Sequence, residues 1–220
     1  MQQLNAEMEE TLFKEQIESR KLYCFIKRVM DILGSAMGLV ILSPILLVIG
    51  IIVKIESKGP LVFAQERVGL NGKRFKMYKF RSMVANAEEL KSKLHDQNEM
   101  NGPMFKMKED PRVTKVGKFI RRTSLDELPQ LVNVLKGEMS LVGPRPSLPK
   151  EVEQFEDWMM TRFSVKPGLT CYWQVSGRND IEFEDWMKLD AKYVSERSTL
   201  VDIKLILKTF GVLFGDEHAS

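Results

Sequence analysis

The stretch Ile32–Val53 reads ILGSAMGLVILSPILLVIGIIV, without one charged side chain and with Ser43-Pro44 near its middle. As a single straight helix it would run about 33 Å at 1.5 Å per residue, enough to cross a bilayer. Pro44 removes a backbone donor and clashes with the carbonyl four residues back, that of Val40. Each half, 32–42 and 45–53, is then only about 14–17 Å long, roughly one leaflet. Ser43 can hydrogen-bond nearby backbone and ease the loss at Val40. Both flanks are basic: Arg20, Lys21, Lys27 and Arg28 before, Lys54, Lys58 and Arg67 after. A single span biases Lys and Arg to one side. Symmetric flanks favour a hairpin that dips in and returns to the same face. A spanning helix with a proline kink, which membranes tolerate, fits the composition equally well. The apolar run starts too late, is too long and lacks the small-residue cleavage site of a secretory signal.

Working outward, residues 1–22 form a polar tail, helical or loose. Residues 23–56 form an amphipathic lead-in and the broken apolar pair, and residues 57–220 a domain with its own core. The chain has 220 residues and a net charge of +3, too small to argue for nucleic acid as a partner. Its positive charge is local: Arg67, Lys73, Arg74, Lys76, Lys79 and Arg81 follow one another with no acid between. Such a patch suits anionic lipid or a phosphorylated substrate, or simply a solvated strand edge. The two cysteines, Cys24 and Cys171, suggest neither a disulfide framework nor a metal site, which fits a cytoplasmic domain. Gly34 and Gly38 have the spacing that lets helices approach closely, which suits a homodimer or packing within this chain.

The expected fold class is mixed α/β, mainly α: a re-entrant helical hairpin, a short β-hairpin and amphipathic surface helices. Asn71-Gly72 between 61–68 and 74–81 is a hairpin signal. Helices are expected over 84–95, 115–122, from Ser124 to a stop at Gly137, 150–162, 182–196 (burying Phe183, Trp186, Leu189 and Tyr193) and 200–214, the last suited to a membrane surface. A mobile loop is expected over 98–117 and a strand over 169–175.

With only two histidines, His95 and His218, nucleophile systems built on His and zinc sites are disfavoured. Any catalysis must fall to carboxylates and arginines. Asp126-Glu127 is the leading pair. On spacing alone a structural role is favoured, because Ser124 and Glu127 form a capping-box pattern and acids in a first turn complement the helix dipole. The surroundings change the balance. Arg121 and Arg122 precede the pair, Arg145 sits between Pro144 and Pro146, and Arg178 lies in a glycine turn. Arginine forks suit phosphate oxygens, and arginines on rigid turns beside carboxylates point to phosphoryl transfer. A carboxylate attacking phosphorus forms a reactive acyl phosphate, splitting one hard transfer into two easier ones.

Four segments carry a resemblance: Lys79-Phe80-Arg81-Ser82-Met83, Thr123-Ser124-Leu125-Asp126-Glu127-Leu128-Pro129-Gln130, the run from Leu135 to Pro146, and Lys166-Pro167-Gly168-Leu169-Thr170 continuing through Gln174 to Asn179. In this order they resemble the bacterial sugar transferases, the monotopic phosphoglycosyl transferases, over about residues 21–214. The resemblance implies transfer of a sugar 1-phosphate from a UDP-sugar to undecaprenyl phosphate, with release of UMP, at the start of surface polysaccharide or glycan assembly. It implies Asp126 as nucleophile and ligand of Mg²⁺, Glu127 as its partner, Arg121 and Arg178 on phosphate, and Pro144-Arg145-Pro146 near the nucleotide. It implies that Ser43-Pro44 breaks a re-entrant hairpin in the lipid of the bacterial inner membrane, with the catalytic domain facing the cytoplasm. Larger members carry several spans ahead of this region, so the chain looks like the minimal catalytic form. Tyr172-Trp173-Gln174-Val175-Ser176-Gly177-Arg178, with Leu189-Asp190 and Tyr193 following, resembles the branch that transfers glucose or galactose phosphate, Trp173 standing where the branch for N-acetylated sugars usually has a small residue. An N-acetylhexosamine 1-phosphate transferase of the same chemistry and a catalytically silent membrane adaptor are the alternatives.

Overall fold

Pro44 cannot donate a backbone bond, and the first helix ends accordingly. Helices α1 (Gln2–Ile41) and α2 (Ser43–Glu56) adjoin Leu42, and the bend between them is 61°. The Ser43 hydroxyl donates to the Val40 carbonyl at 2.8 Å, replacing the bond that Pro44 cannot make. The computed structural model describes residues 2–84, 86–87, 89–90, 107, 109–176 and 181–215, with side chains from residue 20 to residue 212. Among these no single helix is long and apolar enough to cross a membrane, whereas the bent pair has the length and composition.

Of the basic residues flanking the apolar pair, Lys27, Arg28 and Arg67 turn inward, whereas Arg20, Lys21, Lys54 and Lys58 are exposed. On α1, Arg28 donates to the carbonyls of Val134 and Leu135, both at 2.8 Å. These are last-turn acceptors of α4 (Gln130–Lys136), and the Val134 carbonyl also accepts from the Gly137 amide at 2.9 Å. Lys27 donates to the Val142 carbonyl at 2.9 Å and pairs with Asp202 at 2.7 Å. Asp31 is buried and accepts from the Ser140 hydroxyl at 2.9 Å and the Leu141 amide at 2.8 Å. A Cβ at Gly34 would lie 2.7 Å from Leu141, and one at Gly38 3.2 Å from Leu131. The small-residue face of α1 is therefore used within the chain. At the far end of the pair, Arg81 donates to carbonyls of Val53, Ser57 and Pro60 and closes α2.

Strands β1 (Val62–Val68) and β2 (Arg74–Phe80) pair antiparallel, Val62 opposite Phe80 and Val68 opposite Arg74. The expected hairpin forms, with a connection longer than two residues. Asn71 and Gly72 supply the left-handed backbone there, at φ 54° and 74°. The basic run does not form one surface. Arg67 and Arg81 are buried, Lys79 points into the molecule, and Lys73, Arg74 and Lys76 face solvent.

Helix α3 (Lys115–Arg122) forms as expected, its first turn capped by Thr114, which accepts from the Gly117 amide at 2.9 Å. The next segment differs from expectation. Ser124 lies in the left-handed region at φ 56° and makes no capping bond, Leu125–Glu127 is a 3-10 turn, and α4 begins only at Gln130. Gly137 ends α4 at φ 84°.

Strand β3 (Ser140–Val142) runs parallel to β4 (Gly168–Thr170), Ser140 opposite Gly168 and Val142 opposite Thr170. Gly143 and Gly168 allow the chains to touch: a Cβ at Gly168 would meet the Gly143 nitrogen at 2.1 Å. The crossover between them holds α5 (Pro149–Val152) and a 3-10 segment Asp157–Ser164 in place of the expected continuous helix. Phe155 and Met159 pack on Phe183 and Trp186, and this packing overrides local helix preference. The strand expected to reach residue 175 stops at Thr170. Trp173–Val175 is a 3-10 turn that sets Trp173 against Trp186, ring centroids 4.5 Å apart. Helix α6 (Phe183–Glu196) buries Phe183, Trp186 and Tyr193 as expected, joined by Met187 and Asp190 rather than Leu189. Helix α7 (Thr199–Gly215) buries Asp202 and Leu205 and exposes Leu200, Ile203, Leu207 and Phe210. Most of the helix expected over 84–95 and half of the loop expected over 98–117 lie outside the described residues.

Asp31→Ala would leave the Leu141 amide and the Ser140 hydroxyl buried without their acceptor. The expected cost is about 2–3 kcal/mol, read as a lower thermal midpoint in detergent, with Asp31→Asn costing less. An unchanged midpoint for the Ala variant would contradict the docking role.

Candidate active site

A carboxylate taken out of water needs cations close by. The left-handed turn at Ser124 throws Asp126 inward, where only 6% of it is exposed. Lys79 arrives from β2. It shares a face with buried Met77, as residues two apart in a strand do. Its ammonium lies 2.6 Å from Glu127 Oε1 and 3.9 Å from Asp126 Oδ2. Arg145 Nη1 is 3.7 Å from the same Glu127 oxygen, and its guanidinium lies over the Trp173 ring at 5.6 Å. Burial pushes the Asp126 carboxyl up to about 6, with Glu127 adding to the rise and Lys79, Arg121 and Arg145 opposing it. Asp126 thus titrates well above the ordinary carboxylate range of about 3.9.

Each cation is held by structure behind it. β2 is fixed to α4 by Asn133, which is fully buried: its amide donates to the Lys76 carbonyl at 2.7 Å and its oxygen accepts from the Tyr78 amide at 3.0 Å. The Pro144-Arg145-Pro146 turn is gripped through its carbonyls. Arg162 donates to Arg145 O at 2.6 Å and Arg67 to Pro146 O at 3.1 Å. Arg162 is itself paired with buried Asp190 at 2.8 Å. A cleft of about 210 Å³ opens beside the pair, lined by Met77, Lys79, Glu127, Gln130, Arg145, Pro146, Gly168 and Gln174.

Of the residues expected from the sequence, Asp126, Glu127, Arg145 and Pro146 meet here, and Pro144 sits in the same turn. Arg121 is exposed, its charge nonetheless acting on Asp126. Arg178 lies outside the described residues. Ser43 and Pro44 stand apart, at the helix break. The capping-box role for Glu127 does not occur, since Ser124 makes no cap and Glu127 is turned to Lys79 and Arg145. Lys79 stands in the basic run and a motif segment, and Gln130 and Gln174 in motif segments, but sequence reasoning assigns none of the three a role; Asn133 lies in no motif segment.

The bacterial sugar transferase family profile matches residues 22–216. This chain belongs to that family. It is 50% identical over 189 residues to a galactosyl transferase CpsE of Streptococcus agalactiae, covering 85% of this chain and 42% of that protein. It is 45% identical over 203 residues to an undecaprenyl-phosphate galactose phosphotransferase of Salmonella typhimurium, covering 89% and 42%. It is 39% identical to the exopolysaccharide production protein ExoY of Sinorhizobium fredii, over 83% of each. The chain thus spans about two-fifths of the first two relatives and most of the third.

Because burial raises the Asp126 pKa, the native state binds more protons than the unfolded state between about pH 4 and 6. Its contribution to stability therefore falls as pH rises through that window and stays low above it. Asp126→Asn removes this cost. The variant should melt higher than the wild type at neutral pH, by about 2–3 kcal/mol, and the difference should shrink below pH 4. A variant less stable than the wild type at neutral pH would show that the cations over-compensate the burial.

Proposed function

We propose that this chain transfers a hexose 1-phosphate from a UDP-sugar to undecaprenyl phosphate through a covalent intermediate on Asp126. UMP is released, and assembly of a surface polysaccharide or glycan begins. The observation that carries the reading is a buried carboxylate with a raised pKa beside Glu127, Lys79 and Arg145. A silent adaptor has no use for a carboxylate buried at a cost in stability. The names of the relatives support the acceptor and the sugar class: undecaprenyl-phosphate galactose phosphotransferase at 45% identity, against 39% for an N-acetylgalactosamine phosphotransferase of Aeromonas hydrophila.

In the first step an Asp126 carboxylate oxygen attacks the sugar-bearing phosphorus. A phosphorus–oxygen bond forms, the bond to the inner phosphate's bridging oxygen breaks, and UMP leaves with that electron pair. In the second step a phosphate oxygen of the lipid attacks the same phosphorus and Asp126 departs as carboxylate. Lys79 and Arg145 offset the charge that gathers when pyrophosphate meets the two acids. Arg121 and, by the family resemblance, Arg178 would add to this.

Mg²⁺ is commonly held by one or two carboxylates together with substrate phosphates rather than by an all-protein cage. The neighbouring acids Asp126 and Glu127 suit that mode, and among the described residues no cluster of three or more metal-ligating side chains competes with it. Asp126 would hold the ion, which would neutralise phosphate charge.

The apolar pair α1–α2 fits a re-entrant hairpin in the bacterial inner membrane. Its two ends are both held by the same catalytic domain, α1 through Lys27, Arg28 and Asp31 and α2 through Arg81. Leu33, Met37, Val40, Ile41, Leu47, Val48, Ile51 and Ile55 are left exposed, an apolar surface that needs a cover. The site would then face the cytoplasm, where UDP-sugars are made.

Incubation with UDP-galactose or UDP-glucose alone should leave a phosphosugar adduct on the protein by mass spectrometry, absent from Asp126→Asn. kcat/KM should fall as pH drops through about 6, where Asp126 takes up its proton. Normal turnover by Asp126→Asn would sink the covalent mechanism.

For topology, single cysteines at positions 3 and 216, in a background lacking Cys24 and Cys171, should both be shielded from an impermeant thiol reagent in intact cells. Labelling at position 3 alone would mean a true span. Pro44→Ala should move some molecules toward that form by restoring one continuous helix.

A further inference from the structure

Two amides in the cleft have hydrogen-bonding groups that the fold does not use. Gln130 is 2% exposed, and its Nε2 has no partner. Gln174 donates its Nε2 to the Leu169 carbonyl, which fixes which way the amide points, and its Oε1 is buried without a partner. A buried polar atom left unpaired is costly. Both residues belong to the wall of the cleft that Glu127 and Lys79 also line. Of the two unpaired atoms, one is a donor and the other an acceptor.

A phosphate offers only acceptors and would leave Gln174 Oε1 unmatched. A hydroxyl both donates and accepts, so neighbouring ring hydroxyls satisfy both amides together. Position decides which ring. Gln130 lies one helical turn beyond Asp126, and the cleft wall includes Glu127. In a UDP-sugar the sugar is bonded directly to the phosphorus that Asp126 would attack, whereas uracil is separated from it by a second phosphate and a ribose.

We infer that Gln130 and Gln174 select the transferred sugar, Gln130 donating to one ring hydroxyl and Gln174 accepting from another. This rests on the transferase reading above. The test measures kcat/KM for UDP-galactose and UDP-glucose and for their monodeoxy analogues, with the wild type, Gln130→Met and Gln174→Met. The wild type should lose about tenfold or more on at least one deoxy analogue. Each Met variant should lose a similar factor on the parent substrate and almost nothing further on the matching analogue, with its thermal midpoint near that of the wild type. If a variant does not fold, the wild-type analogue series decides alone. Equal rates across that series, or losses that add in full between variant and analogue, would overturn the inference. A coupling seen instead with a 3-methyluridine nucleotide sugar would move the amides to the base and also overturn it. Failure of the wild type to turn over either nucleotide sugar would refute the transferase reading itself, and this inference with it.

Discussion

Two adjacent carboxylates withdrawn from water make the demand that the rest of the molecule meets. Asp126 is almost wholly buried and Glu127 partly so, and neither position is tolerable without cations. The cations come from separate parts of the chain: Lys79 from β2, Arg145 from the turn after β3, and the field of Arg121 from the end of α3. Each must be held to within an ångström or so. Asn133 ties β2 to α4, and Arg162 and Arg67 fix the Arg145 turn by its carbonyls. The compensation is partial, since the Asp126 carboxyl remains raised to about 6. In the proposed reaction, a carboxylate raised to about 6 would be ionised at neutral pH yet poorly solvated, which would keep it reactive.

The broken apolar pair is built into this arrangement rather than attached to it. Lys27 and Asp31 of α1 bind the backbone of β3, and β3 leads directly into the turn that carries Arg145. Arg81 binds the end of α2 and lies two residues beyond Lys79. A shift of either helix would therefore reach Lys79 and Arg145 through rigid backbone. This links where the domain sits to how its acids are held, a useful coupling for a protein whose acceptor is proposed to be a lipid phosphate.

The sequence alone determined the features that depend on local chemistry. Pro44 breaks a helix wherever it stands, and Ser43 completes the broken turn. Asn71-Gly72 supplies the left-handed backbone of a hairpin, and Gly137 ends α4. The motifs around Asp126 and Arg145 carried the family. Tertiary structure decided the rest, because it turns on partners distant in the chain. Lys27 and Arg28 read as basic flanks of the apolar run, but carbonyls of Val134, Leu135 and Val142 and the carboxylate of Asp202 claimed them. Ser124 and Glu127 read as a helix cap, but the pull of Lys79 and Arg145 on Glu127 and the left-handed turn at Ser124 set the two acids into the cleft corner instead. The helix expected over 150–162 and the strand expected over 169–175 gave way to aromatic packing on Trp186. Gln130 and Gln174 lie within the family motifs, but the sequence gives them no role: an unpaired amide exists only relative to the neighbours that fail to pair with it, and those are set by the fold.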